Sequence, residues 1–142
     1  VAKPENQFIS GVHKYLPSIG VLHREKMANP YRGGTADWWY SGRGKKSRDL
    51  WIEWKFLQRV PVRVAIDLVS KGDIISALQR QWLRNRHEEG RNVWVGVGCA
   101  GGGLLLRSMA WELPIDPAVF RSQLVDRKTL ACQIESFTLG RS

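Results

Sequence analysis

Asp49-Leu50-Trp51-Ile52-Glu53-Trp54-Lys55-Phe56 reads as a β-strand with two unlike faces. In an extended chain residues i and i+2 point the same way, so Glu53 and Lys55 share one face while Ile52, Trp54 and Phe56 share the other. A carboxylate and an ammonium therefore project together from a rigid element. Immediately upstream, Ala36-Asp37-Trp38-Trp39-Tyr40 is a second strand-like run. The stretch Ser41-Gly42-Arg43-Gly44-Lys45-Lys46-Ser47 between them is turn material, and pairing of the two runs through it brings Asp37 close to Glu53. Two carboxylates and a lysine at one spot are what phosphodiester cleavage assisted by Mg²⁺ or Mn²⁺ requires. Hard cations take oxygen ligands and keep water in their remaining positions. One such water becomes acidic, and a neighbouring lysine can orient it and offset charge at phosphorus. Standing alone, Glu-x-Lys is weak, because a solvent-facing ion pair on a strand has the same spelling.

Outward from this pair, residues 4–15 read as a helix with proline at its start and Phe8, Val12, Tyr15 and Leu16 at helical spacing. Pro17-Ser18-Ile19-Gly20 ends it, residues 21–27 form a first strand, and residues 29–34 form a loop. Downstream, residues 60–68 alternate as a partial strand, with a helix as the alternative. Ser70-Lys71-Gly72-Asp73 reads as a turn into a helix N-cap. That helix runs to about Glu88, stops at Gly90, and carries an apolar stripe of Ile74, Ile75, Leu78 and Trp82. Gln79 falls at the edge of the stripe, and Arg80 and Arg84 fall opposite it. Residues 92–98 and 104–110 are two further strands joined by a glycine turn, and residues 114–140 are mostly helical. The pattern predicts an α/β fold with a central mixed β-sheet flanked by helices. Trp51, Trp82 and Trp94 belong to its core, while the adjacent Trp38 and Trp39 face opposite sides of their strand.

At 142 residues the chain is expected to form a single domain, 1–142, with a core of about 4–110 and a C-terminal helical extension of about 114–140. Twenty-two Lys and Arg against 13 Asp and Glu give a net charge of +9. The resulting pI of about 10.1 points to a polyanionic partner, nucleic acid first, with a merely solvated basic surface as the alternative. Arg43, Lys45, Lys46 and Arg48 crowd the loop between the two acidic strands, where they would hold phosphates on either side of a scissile bond or form a solvated tip. Arg80, Arg84 and Arg91 would extend the same track. Cys99 and Cys132 show no paired or metal-binding spacing with each other or with His13, His23 and His87, so both read as small buried hydrophobes, and zinc is disfavoured. No signal peptide is legible at Val1-Ala2-Lys3-Pro4-Glu5. The longest uncharged apolar run, residues 93–106, is shorter than the ~20 needed to cross a bilayer. A cytoplasmic protein with no membrane partner is expected. Gly96-Val97-Gly98-Cys99-Ala100-Gly101 matches Gly-x-Gly-x-x-Gly, but the glycines and leucines that follow read as a turn and a strand instead of the helix that a dinucleotide site needs.

Several short segments in this order resemble the PD-(D/E)xK nuclease superfamily, and within it the small virus-type replication-repair (VRR-Nuc) nucleases and phage junction-resolving endonucleases. They are Glu5 in an opening helix, Gly34-Thr35-Ala36-Asp37, Leu50-Trp51-Ile52-Glu53-Trp54-Lys55, Gln79-Arg80-Gln81-Trp82-Leu83 and Gly90-Arg91-Asn92-Val93-Trp94-Val95. The resemblance covers about the first two-thirds of the chain and implies a restriction-endonuclease-like core. It implies that Asp37 and Glu53 are metal ligands with the main-chain carbonyl of Trp54, that Lys55 positions the attacking water, that Glu5 completes the acidic cluster, and that Gln79 lies beside it. For Glu5 the alternative is a favourable place in the helix dipole, and for Gln79 a boundary position. Ala36 stands where the superfamily has proline. The stretch 56–72 is longer than the pattern calls for and is expected as a protruding ribbon used in dimerisation or in reading substrate shape.

The resemblance further implies a Mg²⁺- or Mn²⁺-dependent DNA endonuclease that cuts Holliday junctions, flaps or other branched DNA as a homodimer. It would serve replication, recombination or repair in a phage-infected or bacterial cytoplasm. The alternatives are a non-catalytic basic nucleic-acid-binding protein and a sequence-specific restriction-type nuclease.

Overall fold

The computed structural model describes residues 3–27, 34–70 and 74–141. Five strands form one mixed sheet in the order of the chain: β1 (Leu22–Lys26), β2 (Trp38–Gly42), β3 (Asp49–Phe56), β4 (Val93–Cys99) and β5 (Gly102–Leu106). All neighbours are antiparallel except β3 and β4, which run parallel because the helix α2 (Ala77–Glu88) lies in the crossover between them. Helices α1 (Pro4–His13) and α4 (Arg127–Thr138) pack on the face that carries Ile52, Trp54 and Trp94. Leu83 of α2, Trp111 of a 3₁₀ turn (Ala110–Glu112) and Phe120 of α3 (Pro117–Gln123) pack on the face of Val93, Val95 and Val97. The expected α/β architecture, a central mixed sheet flanked by helices, is the one observed.

Covered on both sides, β4 is buried at all seven positions, as a parallel-paired central strand should be. Its two glycines explain the Gly-x-Gly match. A Cβ at Gly96 would enter the Trp54 indole, and one at Gly98 would enter the Phe8 ring. The turn that follows, with Gly102 at φ +129°, leads straight into β5, so the motif is a hairpin built for packing.

Several expectations need correction. Residues 60–68 form no named strand, and Ile66 makes only an isolated pairing with Ile115. The stretch is not a free ribbon either, since Ile66 and Leu68 are buried, while Val62 and Val64 stay exposed at its tip. Helix α2 starts at a Ser76 N-cap, later than expected, which moves Ile74 and Ile75 ahead of the helix and turns Leu78 outward, leaving Leu83 as its buried residue. The expected loop at 29–34 and cap at 70–73 lie largely outside the described residues. Strand β5 begins two residues early and gives way to the 3₁₀ turn at Ala110. Trp94 is buried, whereas Trp51 and Trp82 are only half-buried at the rim of the second cluster. Cys99 is buried, but Cys132 is exposed on α4. Among the described residues no helix is long and apolar enough to cross a membrane.

Candidate active site

Asp37 directly precedes β2, and pairing of Trp38 with Ile52 sets it beside Glu53 on β3. The Trp54 main-chain N–H donates to Asp37 Oδ2 at 3.1 Å. Glu53 is only 1% exposed. Its Oε2 accepts from Gln79 Nε2 at 3.0 Å and pairs with Lys55 Nζ at 3.1 Å, whereas Oε1 is buried with no donor. Alternation along β3 thus delivers Glu53 and Lys55 to one face, as the sequence predicts, and α2 supplies the amide that meets them.

The electrostatics of the cluster follow from burial. Loss of water pushes the Glu53 carboxyl up to about 8, and the negative charge of Asp37 adds to the shift against the pull of Lys55. Asp37 is also raised by burial, with the Trp54 N–H and Lys55 opposing. The two carboxyl groups are close enough for a protonated Glu53 to donate to Asp37. Glu5, on the first turn of α1, is raised by burial and then by Asp37, and it feels Lys55, Lys3 and Lys26. Lys26, at the end of β1, also acts on Asp37. Sequence reading missed this lysine because only the Lys26–Trp38 register places it there.

A buried polar chain supports the cluster from behind. The Tyr40 hydroxyl accepts from the Trp54 indole N–H at 3.0 Å and meets His13 Nε2 at 2.7 Å. Burial, reinforced by the Arg24 charge, holds His13 down to about 4, so its neutral ring accepts a hydrogen bond from the Tyr40 O–H. Burial in turn raises the Tyr40 phenol. Nothing in the spacing of His13, Tyr40 and Trp54 announces the chain, since it forms between α1, β2 and β3.

Other candidates stand elsewhere. Arg84 is ion-paired with Glu112 at 3.1 Å, and the Arg80 guanidinium donates to the Val69 carbonyl. Arg43, Lys45, Lys46 and Arg48 are exposed on the loop joining β2 to β3, at the opposite end of the hairpin from Asp37. Asp49 and Glu53 are four residues apart, or about 13 Å of strand. The loop would therefore meet phosphates remote from the carboxylates, not those flanking them.

The donor set suits a hard cation. Glu53 Oε1 is a buried acceptor without a donor, and the adjoining acceptors are oxygens. Among the described residues no three His, Cys, Asp or Glu side chains gather closely enough to hold a metal, and Glu5 shares the field of Asp37 and Lys55.

No family model matches the sequence, and no curated protein matches it. A solved structure does resemble the chain. It is that of Archaeoglobus fulgidus Hjc, described as a Holliday junction resolvase from an archaeal hyperthermophile. The two share 14% identity over 92% of this chain and 97% of that one, with a TM-score of 0.49.

Proposed function

We propose that the chain is a metal-dependent deoxyribonuclease of the PD-(D/E)xK kind, one domain that cuts branched DNA endonucleolytically at the Asp37–Glu53–Lys55 cluster. The observation that carries this reading is the buried, donorless Glu53 Oε1 beside Asp37, with Lys55 held 3.1 Å from the other Glu53 oxygen. Burial raises both carboxyls and the charge of Asp37 raises Glu53 further, so the doubly ionised pair is unstable unless a cation joins it.

Asp37, Glu53 and the Trp54 carbonyl would hold Mg²⁺ or Mn²⁺, with Glu5 contributing through water. Such a cation acidifies bound water and neutralises charge at the phosphorus. The chain's own groups do the rest. Gln79 and Lys55 fix the Glu53 carboxylate in one rotamer, and the Trp54 N–H does the same for Asp37. Lys55, charged and partly exposed, orients the attacking water and stabilises the charge that builds on phosphate oxygens. Arg43, Lys45, Lys46 and Arg48 hold the polyanion at a distance, and Arg80 and Arg84 extend the track from α2. A symmetric dimer would present two such sites to the two strands of a junction.

The test is cleavage of labelled four-way junction, flap, linear duplex and single-stranded DNA with Mg²⁺ or Mn²⁺. Asp37→Ala and Lys55→Ala are each expected to lose at least about a hundredfold in rate while still binding DNA. Binding without cleavage on every substrate would reduce the protein to a basic nucleic-acid-binding module.

A further inference from the structure

A basic hollow stands away from the acidic cluster. It is a cleft of about 410 Å³, within the size range of small-ligand sites, between α4 and the ends of the sheet. Arg48 from the β2–β3 loop, Arg107 from the residue after β5, and Arg141 beyond α4 line it, with Gln133, Ser136 and Phe137 of α4 between them. Two of the arginines are held by aromatic faces. The Arg107 guanidinium lies 4.5 Å from the Trp94 ring centre and that of Arg48 lies 4.8 Å from Phe137, and the two rings touch at 4.7 Å. The loop is fixed to α4 by the Arg48 N–H, which donates to the Thr138 carbonyl at 2.8 Å.

Stacking orients a guanidinium without using its N–H groups. Among the described residues neither the Arg48 nor the Arg107 side chain donates a hydrogen bond or joins a salt bridge, so their donor forks are unspent. Arg141 is paired with Glu135, among the described residues the one carboxylate in a salt bridge with a lining arginine. Planar donors, pre-aimed and beside the Ser136 hydroxyl and the Gln133 amide, match the tetrahedral, multiply accepting oxygens of phosphate. Their origin in three separate segments makes this a site of the tertiary fold.

We infer that this cleft is a second phosphate-binding site, which grips the sugar-phosphate backbone of nucleic acid away from the point of cleavage. Its assignment to nucleic acid rests on the proposed nuclease reading; its preference for phosphate does not. Because Arg48 ends the basic loop, the cleft continues the row Arg43, Lys45 and Lys46 around the end of the hairpin. The strand distance of about 13 Å from Asp49 to Glu53 equals roughly four steps of a nucleic-acid strand. A substrate must therefore extend at least that far from the cut to use both sites.

Cys132 lines the cleft and is the exposed cysteine, whereas Cys99 is buried, so the rate at which a thiol reagent modifies Cys132 reports occupancy directly. The experiment compares this rate for the full chain, without metal, in the presence of a 20-base-pair duplex or of inorganic phosphate. Salt-dependent duplex affinity is measured in parallel for the wild type, Arg107→Ala, Arg107→Lys and Arg141→Ala. The expected result is protection of Cys132 by duplex. Arg107→Ala should bind about tenfold more weakly, with a log–log salt slope smaller by about one, and Arg107→Lys should fall between. Protection by inorganic phosphate but not by duplex would overturn the nucleic-acid assignment in favour of a small-anion site. No protection by either, or unchanged duplex affinity in Arg107→Ala, would overturn the proposal outright. Protection by duplex in a protein that cuts nothing upholds the cleft while the nuclease reading fails. Cleavage without protection does the reverse.

Discussion

Gln79 joins the cap of a helix to the buried carboxylate of the acidic cluster: its Oε1 accepts the Ser76 N–H at 3.0 Å while its Nε2 donates to Glu53 Oε2 at 3.0 Å. The Gln79 N–H returns to Ser76 Oγ at 3.2 Å, completing a capping box. One side chain thereby ties the start of α2 to the middle of β3. Gln79→Ala should cost about 1 kcal/mol from the half-lost cap and the missing carboxylate bond. It should also shift the acidic limb of the pH–rate profile to higher pH, because Glu53 loses a donor that favours its charged form. A stability loss with an unmoved pH profile would make Gln79 a cap alone.

The Glu53 carboxyl, raised from 4.5 to about 8, has a defined consequence for stability. Below 4.5 it is protonated in both folded and unfolded chains, and its contribution is fully present. As pH rises through about 8 the folded site must ionise without solvent, and that contribution, on the order of a few kcal/mol, is lost. The melting temperature in EDTA should therefore fall toward pH 8, and Glu53→Gln should restore it while abolishing cleavage. Mn²⁺ should raise the wild-type melting temperature at pH 8 far more than at pH 5. Scanning fluorimetry across these conditions checks all three.

His13 acts with the opposite sign. Its folded value of about 4, against 6.5 for an unconstrained ring, gives a contribution fully present above 6.5 and lost as pH falls through 4. Between about 4.5 and 6.5 these two groups offset each other, which leaves the slope to Asp37 and Glu5, both raised by burial, so the metal-free protein should lose stability only gently as pH rises there. Tyr40→Phe leaves both His13 Nε2 and Trp54 Nε1 without their partner and should cost about 2–4 kcal/mol. Chemical denaturation at pH 5 and pH 7 measures both effects.

The exposed Arg84–Glu112 pair, at 3.1 Å, contributes little to stability, about 0–1 kcal/mol. Releasing the arginine is a sharper probe of the part in DNA binding proposed for it. Glu112→Gln should strengthen duplex binding about two- to threefold, and Arg84→Ala should weaken it and lower the salt slope by about one. Equal affinities for both variants would confine this pair to the surface of the fold.

Strand β3 was legible to the residue, because alternation of apolar and charged side chains over Asp49–Phe56 has period two and no competing reading. Its neighbours Trp38–Gly42 and Val93–Cys99 were located within two residues from their uncharged, aromatic and β-branched runs bounded by turn residues. The start of α2 was misread because Ile74 and Ile75 mimic a helical stripe, while the true start is set by the Ser76–Gln79 capping box. Alternation over residues 60–68 likewise imitates a strand, yet no sheet edge is there to receive it. Within the cluster, Asp37, Glu53 and Lys55 follow from local pattern, and the place of Gln79 beside them from the resemblance alone. Lys26, His13 and Tyr40 become visible only through cross-strand register and helix packing. The arginine cleft was hidden for the same reason, its parts being spread from Arg48 to Arg141.

The glycines of β4 have a meaning for the carboxylates that they never touch. Gly96 leaves the hollow in which the Trp54 indole lies, and the backbone of that same tryptophan holds Asp37. The geometry of the acidic pair is thus gauged from the opposite face of the sheet, by a side chain that a neighbouring strand does without. A single methyl group at position 96 would displace the ring, twist the main chain of β3 and spread the two carboxylates, with no polar atom altered. The spacing of the acidic pair thus depends on a position that carries no chemistry at all.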